Sequence, residues 1–221
     1  MALAQGAGDD GVDLLDEQER GRAARFAFDR DRARYIDSHV ALRRLLAERT
    51  GRGAAALEFE LGEFGKPRLV GFPRCVFSLS HSEDLALVAL AEGVEIGVDL
   101  ERVRHLPDLD ALARQCLTAA ERLHLAAAPA ADRPLLFLQF WTRKEACLKA
   151  LGTGLQIEPS TLDVGHPAVA AQARIVTPSG MHAMYVLSIA PAPGWVGALA
   201  HVVTHPDGGI SSTASSLYSP A

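Results

Sequence analysis

The chain has 221 residues, 48% of them apolar and 22% charged, with a formal net charge of −5 at pH 7. That length suits one large domain or two small ones sharing a core, and the composition excludes a disordered chain, a fibrous repeat and a large multidomain machine. The acidic balance argues against nucleic-acid binding through a generally basic surface, while leaving room for a small anionic ligand on a local basic patch.

Residues 1–13 (Gly-, Ala- and Asp-rich) and 207–221 (Gly- and Ser-rich) are expected to be poorly ordered. Asp16 and Glu19, three apart, form a capping-box pattern that predicts a short helix to about Phe26. Tyr35, His39, Leu42 and Leu46 recur at helical spacing, with Ile36 and Val40 widening the stripe, and predict a longer helix over 30–49 that Gly51 stops. Nine arginines fall between Arg20 and Arg49; nearby Asp and Glu offset them, so most read as a solvated face. After a Gly/Ala-rich connector, strands are predicted over 74–79, 84–91 and 94–101, with Glu92-Gly93 as a hairpin tip. Helical pattern returns over 107–151. There Thr118 with Glu121 makes a second capping box, Asp132 with Pro134 opens the last helix, and Gly152 ends it.

From Ile175 to Pro206 no Asp, Glu, Lys or Arg occurs, a length that raises the question of a membrane span. Pro191, Pro193 and Gly194 interrupt it, so strands over 183–190 and 195–203, following one over 171–176, account for it better than a helix. Helices precede strands twice, which predicts an α+β fold of two halves, 14–102 and 103–206. Cys75, Cys116 and Cys147 are odd in number and lack the close pairing of zinc sites or redox dithiols. They are expected to be structural thiols in a reducing compartment; with no signal-peptide pattern at the start, the cytoplasm is the expected location.

Only three of the 22 basic residues are lysines, Lys66, Lys144 and Lys149, and they mark places where a compact ammonium is wanted rather than a planar fork. In Ile96-Gly97-Val98-Asp99-Leu100-Glu101 the alternation puts Asp99 and Glu101 side by side on one face of a strand, where mutual repulsion and lost hydration would be relieved by a hard divalent cation such as Mg2+. In Phe140-Trp141-Thr142-Arg143-Lys144-Glu145-Ala146-Cys147-Leu148-Lys149, steps of four put Trp141, Glu145 and Lys149 on one helix face. Lys66 lies in a Gly65-Lys66-Pro67 turn, and Ser78-Leu79-Ser80-His81-Ser82 ends a strand with small polar groups suited to phosphate. Singly, each has an ordinary alternative: a strand end entering solvent, an i,i+4 helix pair, a capped turn histidine. Ser80 and His81 are chain neighbours without a G-x-S-x-G elbow, which argues against a hydrolase triad.

Taken together, Gly65-Lys66-Pro67, Phe77-Ser78-Leu79-Ser80-His81-Ser82, Gly97-Val98-Asp99-Leu100-Glu101 and Trp141-Thr142-Arg143-Lys144-Glu145-Ala146-x-x-Lys149-Ala150-x-Gly152-x-Gly154-Leu155 resemble, in order and spacing, the motif series of the 4'-phosphopantetheinyl transferases of the large, surfactin-synthetase-activating (Sfp) type. The resemblance covers about residues 15–165. It implies a monomer with the transferase fold of two pseudo-twofold-related α+β halves. The implied reaction moves phosphopantetheine from coenzyme A to a serine of an apo acyl or peptidyl carrier protein, releasing 3',5'-ADP, with neither nucleic acid nor membrane as partner. It also implies Asp99, Glu101 and Glu145 as Mg2+ ligands and Lys149 as the pyrophosphate contact. Lys66, Ser80 and His81 would hold the nucleotide end, with Arg22 and Arg34 at the basic positions of the helix pair. Glu145 is the base candidate and Lys144, off the Trp141/Glu145/Lys149 face, a structural one. Ser78 departs from the family, standing where asparagine is frequent. An acidic carrier helix is expected to meet the Arg-rich face of the N-terminal half. The alternative is a Mg2+-dependent hydrolase of coenzyme A or a related nucleotide pyrophosphate.

Overall fold

The computed structural model describes residues 11–177 and 180–203; the expected disorder of 1–10 and 207–221 lies outside the described residues. In order come α1 (Glu17–Ala23), α2 (Asp29–Thr50), β1 (Phe59–Leu61), β2 (Pro67–Leu69), β3 (Cys75–Ser82), β4 (Leu85–Glu92), β5 (Ile96–Arg102), α3 (Leu109–Cys116), α4 (Ala119–Ala127), α5 (Arg133–Leu151), β6 (Ala171–Thr177), β7 (Gly180–Ile189) and β8 (Trp195–Val202). The fold is α+β, and helices precede strands twice. Both capping boxes form, Asp16 with Glu19 and Thr118 with Glu121. Asp132 makes no side-chain cap, and α5 begins instead on Pro134 in its first turn. Within the 1–13 stretch, residues 11–13 enter a 3-10 turn at Val12–Leu14, which packs with Leu15 against Tyr35, Ile36 and Val40 of α2.

The charge-free stretch is the antiparallel pair β7–β8, and among the described residues no helix is long and apolar enough to cross a membrane. Glu92-Gly93 is not a hairpin tip. The Gly93 N–H bonds back to the Arg74 carbonyl, and β5 runs antiparallel to β8, giving a sheet of order β5-β8-β7-β6 beside the β3–β4 hairpin. Alternation shows that 94–101 is a strand but carries no information about its partner, which lies about a hundred residues downstream. The connector also holds a short hairpin, β1–β2, whose turn carries Gly65 and Lys66.

β5 is joined to β3 through side chains. Val98 N–H donates to Ser78 Oγ at 3.1 Å, Arg102 N–H to Ser82 Oγ at 3.0 Å, and between them Ser80 Oγ donates to Asp99 Oδ1 at 2.9 Å. Ser78 and Ser82 thus serve the edge of β5 that β8 leaves unpaired, while Ser80 between them holds the Asp99 side chain.

The main core lies between the four-stranded sheet and α5, with Phe137, Phe140, Leu148, Val186, Met184 and Leu162 among its buried side chains. β5 and α5 approach closely at Gly97, where a Cβ would fall 2.1 Å from the Ala146 carbonyl oxygen and 2.4 Å from the Ala150 nitrogen. Both facing helix residues are alanines, fully buried.

Three buried cations brace this framework. Arg43, one of nine arginines most of which were expected on a solvated face, is fully buried. It pairs with Asp16 at 2.7 Å and Glu19 at 2.6 Å, donates to the Ala54 and Leu57 carbonyls, and lies over the Phe59 ring. Arg143 donates to the carbonyls of His166, Val169 and Val186. Lys144 pairs with buried Glu121 at 2.7 Å and donates to the Pro159 and Leu162 carbonyls, the structural place expected for it.

Gly97→Ala is expected to lower unfolding stability by about 3 kcal/mol or more, since its methyl meets main-chain atoms that no rotamer change can move. Urea denaturation followed by circular dichroism measures it; a loss under about 1 kcal/mol would mean that the strand and helix separate easily.

Candidate active site

Along the second half of α5, three residues in four are buried, and the exceptions are Trp141, Glu145 and Lys149, spaced by four and partly open. This stripe faces the polar side of β5. Lys149 Nζ lies 2.7 Å from Asp99 Oδ1 and donates to Ser80 Oγ at 3.1 Å, so the helix pair Glu145–Lys149 gives way to a contact between helix and strand. Asp99 is 5% exposed, and its Oδ2 is buried without a hydrogen-bond partner. Burial pushes its carboxyl above the ordinary carboxylate value despite the opposing pull of Lys149 and Ser80. Glu145 is raised as well, first by burial and then by the negative charges of Asp99 and Glu101, with Lys149 acting against them. Glu101 takes a hydrogen bond from Arg104 at 2.8 Å.

The acids are therefore neighbours that feel one another. Even so, no three His, Cys, Asp or Glu side chains among the described residues stand in an arrangement that could hold a metal ion. Their chemistry fits a divalent cation: hard oxygens, one of them buried and unpartnered, and three converging negative charges. Closing them round an ion needs side-chain rotation, because the Lys149 ammonium already contacts Asp99.

Beside this cluster opens a cleft of about 1000 Å³, walled by α1, α2, the β1–β2 hairpin, β3 and the end of α5. Lys149, His81, Lys66, Arg22 and Arg25 line it, as do the aromatics Tyr35, Phe26, Phe59 and Phe64. His81 stands exposed in it; protein packed behind the ring, together with Lys149, Arg34 and Arg22, holds its pKa below the ordinary imidazole value. Lys66 lines it with its stem, against which Gly152 packs, while its Nζ donates to Glu95 at 2.6 Å, Ala150 O at 2.9 Å and Ile96 O at 3.1 Å. All three ammonium protons are thus committed, and reaching a phosphate would require giving up at least one. Arg34 is held by Asp84 at 2.8 Å and does not line the cleft.

A family model described as the 4'-phosphopantetheinyl transferase superfamily matches residues 95–190, which span β5 and α5 and so include Asp99, Glu101, Glu145 and Lys149. Over residues 95–190 the chain is similar to the 4'-phosphopantetheinyl transferase superfamily. It is 35% identical over 144 residues to the 4'-phosphopantetheinyl transferase HetI of Nostoc sp. (strain PCC 7120), covering 64% of this chain and 61% of that one. A putative 4'-phosphopantetheinyl transferase of Synechocystis sp. (strain PCC 6803) is 36% identical, covering 64% and 58%. The 4'-phosphopantetheinyl transferase Sfp of Bacillus subtilis (strain 168) is 24% identical, covering 89% and 85%. The chain thus spans about three fifths of the length of the first two relatives.

The residues expected to act together fall into two groups. Asp99, Ser80, Glu145 and Lys149 meet at the junction of β3, β5 and α5, with Glu101 alongside; Lys66, His81 and Arg22 line the adjoining cleft. Tyr35 is buried in the core and, with His39, also walls the cleft: their rings stack at 3.9 Å and His39 Nδ1 donates to the Tyr35 carbonyl at 2.9 Å. Their signal in the sequence was slight, two aromatic groups with polar atoms on an otherwise aliphatic stripe. Arg25 carries no signal beyond its neighbours'.

Two pH effects follow. Burial holds the His39 pKa down to about 4 from 6.5. The unfolded chain therefore takes up a proton that the native state refuses, and stability falls as pH drops across that window, by about 3 kcal/mol at its lower end. His39→Gln should remove that part of the acid sensitivity in urea titrations run from neutral pH downward. For Glu145 the sign is opposite. Its raised pKa lets the native state keep a proton the unfolded chain has lost, so this group's contribution falls as pH rises through the window above the carboxylate reference value of 4.5. Glu145→Gln should be more stable than wild type at neutral pH and approach it under acid; a variant less stable at neutral pH would contradict the strain placed on this acid.

Proposed function

We propose that the chain transfers 4'-phosphopantetheine from coenzyme A to a serine hydroxyl of an apo acyl or peptidyl carrier protein, releasing 3',5'-ADP. The observation that carries this reading is the placement of buried Asp99, with half-buried Glu101 and Glu145 near it, beside a cleft lined by cations and aromatics. That geometry suits an anionic nucleotide lying in the cleft with its diphosphate toward the acids. Asp99, Glu101 and Glu145 would hold Mg2+. When bound, the ion supplies charge stabilisation to the diphosphate.

The protein groups divide the remaining work. Lys149 and His81 face the cleft and offer donors to the diphosphate and the nucleotide end, with Arg22 further along the wall. Ser80 orients the Asp99 carboxylate. Lys66 fixes the β1–β2 hairpin to β5 and α5, keeping the wall in place through contacts its ammonium already makes. The bond that forms joins the carrier serine Oγ to the β-phosphorus of coenzyme A, and the bond that breaks is the one to the bridging diphosphate oxygen, whose electron pair leaves with 3',5'-ADP. Glu145, whose carboxyl burial raises above the ordinary carboxylate value, receives the serine proton directly or through one water.

Mass spectrometry of an apo carrier protein incubated with the enzyme tests this. Phosphopantetheine addition should need both coenzyme A and a divalent cation. Asp99→Asn and Glu145→Gln should each lower kcat/KM by about 100-fold or more while keeping the wild-type circular dichroism spectrum. Coenzyme A cleavage at the same rate with and without carrier would point to the hydrolase instead.

A further inference from the structure

We propose that the Lys149 ammonium is the resident counter-ion of Asp99, and that a divalent cation and Lys149 take turns on this carboxylate, with a bound diphosphate drawing the lysine away. The identity of the diphosphate rests on the transferase function; the competition between lysine and cation does not.

Asp99 is almost wholly enclosed, and a carboxylate there needs a positive partner. Lys149 is the cation that meets it, at 2.7 Å on Oδ1, steadied by Ser80, whose hydroxyl donates to that same oxygen and accepts from the ammonium. The other oxygen, Oδ2, has no hydrogen-bond partner. Two cations on one buried carboxylate repel each other strongly, so an ion approaching Asp99 meets the ammonium as an obstacle. Lys149 is also able to leave: its side chain is 32% exposed, it springs from the partly open stripe of α5, and it lines the cleft. An anionic group there offers it a second partner within the sweep of one flexible stem. Release of Asp99 then lets the cation in. By thermodynamic reciprocity, cation and diphosphate each strengthen the other's binding through this single side chain.

Lys66 provides the contrast. Its ammonium also meets an acid, Glu95, but two main-chain carbonyls hold it as well, so it is anchored where Lys149 is poised.

The test uses the full chain in two arms. In the first, Mn2+ alone is titrated and free Mn2+ is read by electron paramagnetic resonance. Lys149→Met should bind Mn2+ about 10-fold tighter than wild type, and Lys149→Arg, which keeps the charge, should stay within about 2-fold of it. Equal affinity in Lys149→Met and wild type overturns the proposal. The second arm measures coenzyme A binding in EDTA by calorimetry. Asp99→Asn should tighten binding about 10-fold when Lys149 is present and less than about 2-fold in the Lys149→Met background. An equal gain in both backgrounds is plain charge removal and also overturns it. Failure of wild type to bind coenzyme A would count against the transferase function instead, and the Mn2+ arm alone would then decide between lysine and ion. Thermal melts confirm folding, with Lys149→Gln replacing any Met variant that does not fold.

Discussion

β5 lies against α5 at a distance that leaves no room for a side chain, and everything chemical in this protein depends on that closeness. With Gly97 facing the Ala146 carbonyl and the Ala150 nitrogen, strand and helix meet backbone to backbone. Two residues along the strand comes Asp99, and one position before Ala150 comes Lys149, so the approach that Gly97 allows delivers the carboxylate to the ammonium. A larger residue at 97 would push apart the two elements that carry the acids, and the cluster would be lost as packing before it was lost as chemistry.

The three lysines of this arginine-rich chain share one physical trait. Each ends at a junction between elements, beside a carboxylate and further carbonyl or hydroxyl oxygens that a tetrahedral set of three donors can reach. Lys144 ties α5 to α4 and to the segment at 159–162, Lys66 ties the β1–β2 hairpin to β5 and α5, and Lys149 ties α5 to β3 and β5. Burial holds the pKa values of Lys66 and Lys144 below the ordinary lysine value, with Glu95 and Glu121 opposing that drift. Arg43 and Arg143 act where a wider span is needed, since a guanidinium fork reaches acceptors on several segments together.

Much of this was legible in the sequence because it is local. The capping boxes at Asp16 and Thr118, the stops at Gly51 and Gly152, and the alternation of 96–101 each depend on a few neighbouring residues and are found where expected. What failed was pairing. β5 was expected to fold back on β4, whereas its partner is β8, a choice made by packing against α5 that a period of two cannot encode. Arg43 was not singled out for a similar reason: acids nearby in sequence suggest a surface charge for such arginines in general, and only the tertiary structure shows Asp16 and Glu19 enclosing this one. For the site, residue types and spacing pointed to the acids and to Lys149. The sequence could not say that Lys149 would sit on Asp99, that Lys66 would spend its donors internally, or that Tyr35 and His39 would wall the cleft.

The row Ser78, Ser80, Ser82 gives the joint between β3 and β5 an unusual character. Ordinary neighbouring strands are sewn by peptide groups, which cannot be changed by mutation without moving the chain. Here the stitches are hydroxyls, each replaceable alone. Selection can therefore tighten or slacken this seam one residue at a time while both sheets keep their own ladders. The middle stitch is also the hydroxyl that touches Asp99 and Lys149, so the fit between the two sheets and the alignment of the acid are adjusted through the same three side chains.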